Sequence, residues 1–507
     1  MDSNVVLEAF GNAKTVRNDN SSRFGKYIKM KYDDSLTIIG AKTDTFLLEK
    51  SRLIHVDDGE RNYHVFYQMC AGHSSRSVLP ATEYKLLSQG NTIKVNEGVD
   101  DKEEFMLTKQ ALNTMGVSED DQLRIFDLLL GLLQLGNATS TMGEDEKATV
   151  DFAPPPTVGG APTPPVSLAT IAALFGVDPT LLKNAIVIRM QTSGRGSTTS
   201  IPLTPDQALN NIHALIKYAY GATFSYLVSA INAAHAIPSS TATTFIGILD
   251  IFGFEIMRTN SFEQLCINFA NEMLQQQFNQ QVFVLEKVRY EDEGLTTDTI
   301  EFQDNQLVID LISKKPTGLF ITLEEHGMMN RKPDNSALLT NYHKNHDQHP
   351  NYAKPRFKGD NFIVKHFAGD VTYDITSFIE KNNDSLNEQL VLLMKSSSVK
   401  LIQDTFELAT EEPAKEEPKD AGGRARNTVT ARGGKMAQKV TVSSIFRVGL
   451  EALVTQLAQT NPHYIKCIKP NAVKLPGGFS NTMVCEQVSR PFFLFPWFTF
   501  LSLLIDI

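Results

Sequence analysis

The chain has 507 residues, more than a single hydrophobic core usually supports, so several domains or one large multi-part unit are expected. Hydrophobic residues at 42% and charged residues at 21% exclude a fibrous or disordered chain, and a net charge of −10 argues against bulk nucleic-acid binding while leaving room for a local basic patch. Cys70, Cys266, Cys467 and Cys485 are scattered with no C-x-x-C pair, which fits a reducing compartment and neither a disulfide framework nor a zinc site; the N-terminus lacks the basic start and apolar core of a secretory signal.

In chain order, Val5 to Phe10 reads as the last turns of a helix closed by Gly11. Asn12 to Lys26, N-A-K-T-V-R-N-D-N-S-S-R-F-G-K, is a polar loop with adjacent serines, several amides and nearby cations. That set suits a phosphate and its magnesium, with a serine oxygen for the metal and amides and positive charge for the anion; standing alone it reads as a solvated loop capped by Ser and Asn. Asp101 to Gly136 is largely helical in period, with Leu123, Phe126, Leu129, Leu130 and Leu133 forming a core face. Asp151 to Val166 is Pro- and Gly-rich and reads as a surface loop rather than a ligand for an SH3-like partner, and Leu168 to Ala185 is helical again.

Thr243 to Glu255, T-T-F-I-G-I-L-D-I-F-G-F-E, has the pattern of a strand buried on both faces of a sheet, ending in Asp250, Gly253 and Glu255. Open α/β sheets bind ligands at such ends: an acid there can hold the water shell of magnesium, and a glycine lets a backbone N–H approach a phosphate oxygen. A core strand followed by an ordinary turn has the same pattern. Ser261-Phe-Glu-Gln264 is a capping box opening a long helix to about Val288, with Phe262, Cys266, Ala270, Leu274, Phe278 and Val282 as its apolar face. His326, His343, His346 and His349 match no common ligand spacing and read as solvated. Thr410 to Lys439 is a linker by composition, acidic first and basic after Gly422.

Asn18-Asp-Asn-Ser-Ser-Arg23-Phe-Gly-Lys26, followed far downstream by Asp250-Ile-Phe-Gly-Phe-Glu255, resembles the switch I and switch II pair of the myosin motor domain. L-E-A-F-G-N-A-K-T (Leu7 to Thr15), L-L-E-K-S-R-L (Leu47 to Leu53) and G-E-R-N-Y-H-V-F-Y-Q-M-C-A-G (Gly59 to Gly72) agree in order and spacing. So do H-F-A-G-D-V-T-Y (His366 to Tyr373), I-E-K-N-N-D-S-L-N-E (Ile379 to Glu388) and N-P-H-Y-I-K-C-I-K-P-N (Asn461 to Asn471), so that the resemblance covers nearly all of residues 1 to about 488. It implies an α/β fold, a fragment of the P-loop NTPase myosin head with a mixed central sheet surrounded by helices. Residues 1–245 would be an upper half with switch I, 246–409 would hold switch II, the relay helix and the lower actin-binding half, 410–440 a basic actin-contacting loop, and 441–488 a partial core.

By the same resemblance the function is that of an ATP-driven, actin-based cytoskeletal motor using ATP and Mg2+, in the cytoplasm and cytoskeleton as part of a myosin complex. Ser22 would ligate magnesium, Ser21 position the attacking water, Asn18 contact the nucleotide, Asp250 hold a magnesium-bound water and Gly253 bind the γ-phosphate through its N–H. Arg23 and Glu255 would pair across the switches. Arg424, Arg426, Arg432, Lys435 and Lys439 would meet the acidic face of actin filaments. Counting sixteen positions back from H-A-L-I-K (His213 to Lys217) lands on Ser197, a regulatory position that Arg195 would offer to a basophilic kinase, or simply an unmodified loop serine.

Two departures qualify the resemblance. No G-x-x-x-x-G-K-[ST] phosphate loop occurs in the 507 residues, and Gly433-Gly434-Lys435 is not one, because Met436 stands where Ser or Thr is needed. A catalytically inactive actin-binding module is therefore the alternative reading. Residues 489–507 are a non-family apolar tail, too short and too broken by Pro496 and Asp506 for a membrane span, and light chains would enter only with a lever arm. Neither nucleic-acid nor membrane partners are expected.

Overall fold

A computed structural model describes residues 2–410 and 441–489, apart from 74–77, 144–147, 153–156, 159–160, 163–165, 193–197, 238–243, 295–303, 330–333, 357–358, 385, 466 and 474–475. The chain forms two compact units, one from Met1–Ile251 with Ser385–Gly433 and one from Phe252–Asp384 with Gly434–Ile507. Both units contain helices and strands, as expected of an α/β chain.

The first unit is built around the helix Pro205–Ala234, opened by Thr204 as N-cap, with Gln207 completing the capping box and Pro205 in the first turn. Its Tyr220 is fully buried, stacks on Tyr63 (centroids 5.1 Å) and Phe66 (5.3 Å), and donates its hydroxyl to Phe10 O at 2.7 Å. The helix Asp2–Gly11 is thereby fastened to the core. Gly11 is the last residue of that helix rather than a left-handed cap beyond it, and a close approach requires it: a Cβ there would lie 2.3 Å from the Phe24 ring.

The expected single helical stretch over 101–136 is two helices, Asp101–Thr114 and Glu119–Gly136, because Ser118 caps a new start by accepting the Asp121 N–H. Likewise 168–185 divides into Leu168–Phe175 and Pro179–Val187, with Gly176 in the left-handed region between them. Among the described residues no single helix is long and apolar enough to cross a membrane.

The strand Thr244–Asp250 pairs antiparallel with Gly25–Tyr32, which pairs antiparallel with Ile38–Phe46. The expectation of a strand buried on both faces is corrected here. Thr244–Asp250 is an edge strand, with Phe245, Ile246 and Ile248 exposed by 42%, 55% and 50%. Burial on both faces needs covering layers and a second neighbour, and the described residues supply a partner strand on one edge only.

In the second unit the helix Phe262–Asn279 runs through a π-helical turn, Gln280–Val284, into Leu285–Asp292. Gln264 Oε1 accepts the Ser261 N–H at 3.1 Å, the reach-back half of the predicted box. The helix is not half polar as its every-fourth-residue pattern suggests: Asn268 and Glu272 are fully buried beside Leu265, Ile267 and Phe269. Phe262 and Phe269 pack edge-on against Phe320 of the helix Leu319–Met329, and the hairpin Asn361–His366/Gly369–Asp374 adds Phe362, stacked on Tyr373 at 5.4 Å. The histidines expected to be solvated are structural instead. His346 is buried and hydrogen-bonds Thr317 O at 2.9 Å, His343 bonds Tyr352 Oη at 2.8 Å, and His326 bonds Asn341.

Candidate functional site

Two short segments of the serine loop come together in the first unit. Asn12–Ala13, directly after the first helix, pairs antiparallel with Ser21–Ser22, so the loop between them is closed by a two-residue ladder. Phe24 then enters the core, edge-on to Phe224 at 5.0 Å, and the chain continues as Gly25–Tyr32. Burying a phenylalanine is worth about 1.5–3 kcal/mol, enough to fix this end of the loop.

In that strand pair Lys26 lies opposite Asp250, and its Nζ approaches the Asp250 carboxylate at 3.5 Å. The register therefore carries the end of the serine loop to the C-terminal end of the strand that bears Asp250. Neither element announces this pairing locally.

Within the loop, Asn18 is exposed and turns on itself: its Oδ1 accepts the Asn20 N–H at 3.0 Å. Ser21 and Ser22 are half-buried, and Ser21 Oγ accepts from Arg23 Nη1 at 3.3 Å. Arg23 is buried, with its Nε on Glu49 Oε2 at 2.8 Å. Asn20 is held on three sides, by Asn12 Nδ2 at 2.9 Å, by His64 Nε2 at 3.2 Å, and through its own Nδ2 on Glu8 at 3.0 Å.

Burial, then the nearby Arg61 and Arg52 cations, push the His64 imidazole down to about 3, so it is neutral in the folded chain. Its unfolded value is near 6.5, so below that pH the unfolded chain takes up a proton that the folded chain refuses; this contribution is complete above pH 6.5 and is lost as pH falls towards 3. Glu49, brought down to about 2, adds acid sensitivity only below its ordinary value of 4.5, which leaves pH 6.5 to 4.5 to the histidines. Lowering pH from 7 to 5 should cost on the order of 2 kcal/mol through His64. Denaturant midpoints at the two pH values, for the wild-type chain and for His64→Gln, check this; an equal pH slope in both would refute it.

The second unit holds the rest of the D-I-F-G-F-E stretch. Gly253 is exposed, and a Cβ on it would meet nothing within 4 Å, so packing does not demand a glycine there. Two asparagines of the helix Phe262–Asn279 hold the backbone on either side: Asn271 Nδ2 donates to Phe252 O at 3.1 Å, while Asn268 accepts the Glu255 N–H and donates to Glu255 O, both at 2.8 Å. The Glu255 side chain is buried and accepts from Gln264 Nε2 at 3.4 Å. Asn268 Nδ2 also reaches Tyr373 Oη at 2.9 Å, which bonds His366 Nε2 at 2.8 Å, and His366 Nδ1 bonds Glu272 at 2.9 Å.

In the first unit Ser21, Ser22 and Asp250 supply hydroxyl and carboxylate oxygens, the ligand type that magnesium takes, and in the second unit Gly253 leaves its backbone open. Glu49, Asn268 and Asn271 escaped the sequence reading. Two asparagines three residues apart, set among Ile267, Phe269 and Ala270, were the one available signal. Ser197, and Arg424, Arg426, Arg432, Lys435 and Lys439, lie outside the described residues.

Comparison with known proteins shows the family. The family model described as Myosin head (motor domain) matches residues 1–491. The chain is 38% identical over 493 residues to Myosin-I heavy chain of Dictyostelium discoideum, covering 96% of this chain and 20% of that protein. It is 39% identical to Myosin-1 of Arabidopsis thaliana, and 39% identical to Myosin-2B of Naumovozyma castellii, with 96% of this chain aligned in each case and 40% and 33% of those proteins covered. The chain thus spans well under half the length of these relatives.

Proposed function

The chain belongs to the myosin head (motor domain) family, and from that premise we propose that it forms part of an ATP-driven motor that binds actin filaments in the cytoskeleton. The observation that carries the reading is the strand register that sets Lys26, at the end of the Asn18–Lys26 segment, against Asp250. Two segments separated by more than two hundred residues of sequence become neighbours at one end of one antiparallel sheet.

In this reading Ser22 holds magnesium, Asp250 holds one of its waters, Asn18 contacts the nucleotide, Ser21 orients the attacking water and the Gly253 N–H receives a γ-phosphate oxygen. Bound magnesium supplies charge neutralisation at the phosphates. Arg23 and Glu255, of opposite charge, act as a pair in closing the site by family resemblance. The open space around Gly253 and the half-exposed Asp250 carboxylate support these roles, since neither feature serves packing. The inactive actin-binding module has no counterpart among the relatives described above, all of them named as myosins.

Actin contact is assigned to the basic run from Arg424 to Lys439, and Ser197 is the proposed modification site on a second surface loop. Contacts made by exposed cations are screened within about 8–10 Å at physiological salt. Co-sedimentation of the 507-residue chain with actin filaments should therefore weaken steeply between low and high salt. Replacing Arg424, Arg426, Arg432, Lys435 and Lys439 by Gln should remove most of that salt dependence. Binding indifferent to salt, or unchanged by the five substitutions, would contradict the actin-contact assignment.

A further inference from the structure

The L-L-E-K-S-R-L and G-E-R-N-Y-H segments are given no task by the switch chemistry, yet the structure sets Glu49 of the first against Arg23, and Glu60 and Tyr63 of the second against Arg52 and the Glu49 main chain. Glu49 meets Arg23 twice with its carboxylate, accepting Nε at 2.8 Å and Nη2 at 3.3 Å in a side-on fork, and once with its main chain, whose N–H donates to Arg23 O at 2.9 Å. The fork leaves Nη1 directed at Ser21 Oγ, 3.3 Å away. The same Glu49 Oε2 accepts Arg52 Nε at 2.6 Å, Arg52 Nη1 donates to Glu60 Oε2 at 2.9 Å, and Glu60 Oε1 accepts the Val16 N–H at 3.3 Å. Two positive and two negative side chains thus form a line that starts at Arg23 and returns to Val16, both on the Asn12–Lys26 loop. Tyr63 Oη donates to Glu49 O at 2.8 Å and anchors the middle of the line in the core.

We propose that Glu49 is the positioning residue of the switch arginine: its carboxylate fixes the plane of the Arg23 guanidinium so that Nη1 faces Ser21, while Arg52 and Glu60 brace Glu49 from behind. The proposal rests on the functional reading of Arg23 given above. Burial alone would raise the Glu49 carboxyl, but Arg52 and Arg23 override it and bring it down to about 2, so it stays ionised. Because Arg52 also neutralises Glu49, Arg23 can turn away during a working cycle without leaving a bare buried carboxylate behind. A single Arg23–Glu49 pair would lack that property.

Mass-spectrometric footprinting of the whole 507-residue chain with an arginine reagent, phenylglyoxal, tests the geometry. Arg23 should be protected in the wild type and react at least about tenfold faster in Glu49→Gln, with Glu49→Asp, which keeps the charge, in between. Arg61 is the internal control, since it is fully buried over the Tyr67 ring at 3.9 Å and paired with Asp101 rather than Glu49. Arg23 unchanged in Glu49→Gln, or Arg23 and Arg61 becoming reactive together, would overturn the proposal. In a complete head that contains these residues and a phosphate-binding loop, Glu49→Gln should lower kcat roughly 10- to 100-fold with little change in KM for ATP. Full activity in Glu49→Gln beside an inactive Arg23→Ala overturns the positioning role; full activity in Arg23→Ala overturns the functional reading instead.

Discussion

Residues 1–507 expressed alone are expected to hydrolyse no ATP above background. What grips a triphosphate can be counted. Ser21, Ser22, Asp250 and Gly253 are the groups proposed above for the magnesium and γ-phosphate side, but no G-x-x-x-x-G-K-[ST] exists in the polypeptide to wrap the β-phosphate, supply a lysine, or place a helix N-terminus behind it. Loss of one such donor commonly costs on the order of a hundredfold in rate, and loss of the whole cradle removes binding as well. The same polypeptide presents Phe245, Ile246 and Ile248 on a strand with one open edge among the described residues, so a tendency to associate should accompany the missing activity. Magnesium-dependent phosphate release, measured with and without actin filaments, decides the matter. Turnover that actin stimulates and Arg23→Ala abolishes would overturn the expectation.

Glu272→Ala should be the most damaging single change within the second unit, lowering its stability by about 3–5 kcal/mol. The carboxylate is fully buried and accepts from His366 Nδ1 at 2.9 Å, the Phe367 N–H at 3.1 Å and Asn305 Nδ2 at 2.5 Å. Truncation would take an acceptor from all three at once; Asn305 Nδ2 keeps the Glu272 main-chain O at 2.8 Å and the Phe367 N–H is half-buried, whereas the buried His366 Nδ1 loses its partner without regaining water. Replacing Glu272 and His366 together by leucine should cost less than the sum of the two single changes, because the pair leaves no lone member behind. Thermal unfolding of the four proteins measures the coupling. Strict additivity would mean that the pair contributes nothing as a pair. Since His366 continues through Tyr373 to Asn268, which holds the Glu255 backbone at both N–H and C=O, the single variant should also loosen hydrogen-exchange protection of the Glu255 amide.

The sequence by itself determined the local features. The start of the long helix at Ser261-x-x-Gln264 and the polar serine loop were legible in neighbouring residues, because caps and turns are satisfied over three or four positions; the caps at Thr204 and Ser118 are equally local but went unread. It also carried the family, since motifs over most of the chain agree in order, and it carried the absence of a phosphate loop from these residues.

Tertiary structure decided what lies far apart in sequence. The pattern of Thr244–Asp250 reads as a strand buried on both faces, yet whether its faces are covered depends on neighbours the strand does not encode, and here it forms an edge. His346 looked solvated among polar neighbours, but Tyr352 and Thr317 close over it. Asn268 and Glu272 carry no local sign of burial, yet the hairpin Asn361–His366/Gly369–Asp374 brings His366 and Tyr373 to meet them. Arg23 finds Glu49 twenty-six residues downstream because the core around Tyr63 and Tyr220 folds that segment back. Short-range periodicity reports what a residue does to its own helix or strand, whereas a buried charge must be matched by whichever opposite charge packing delivers, and only the folded chain specifies that partner.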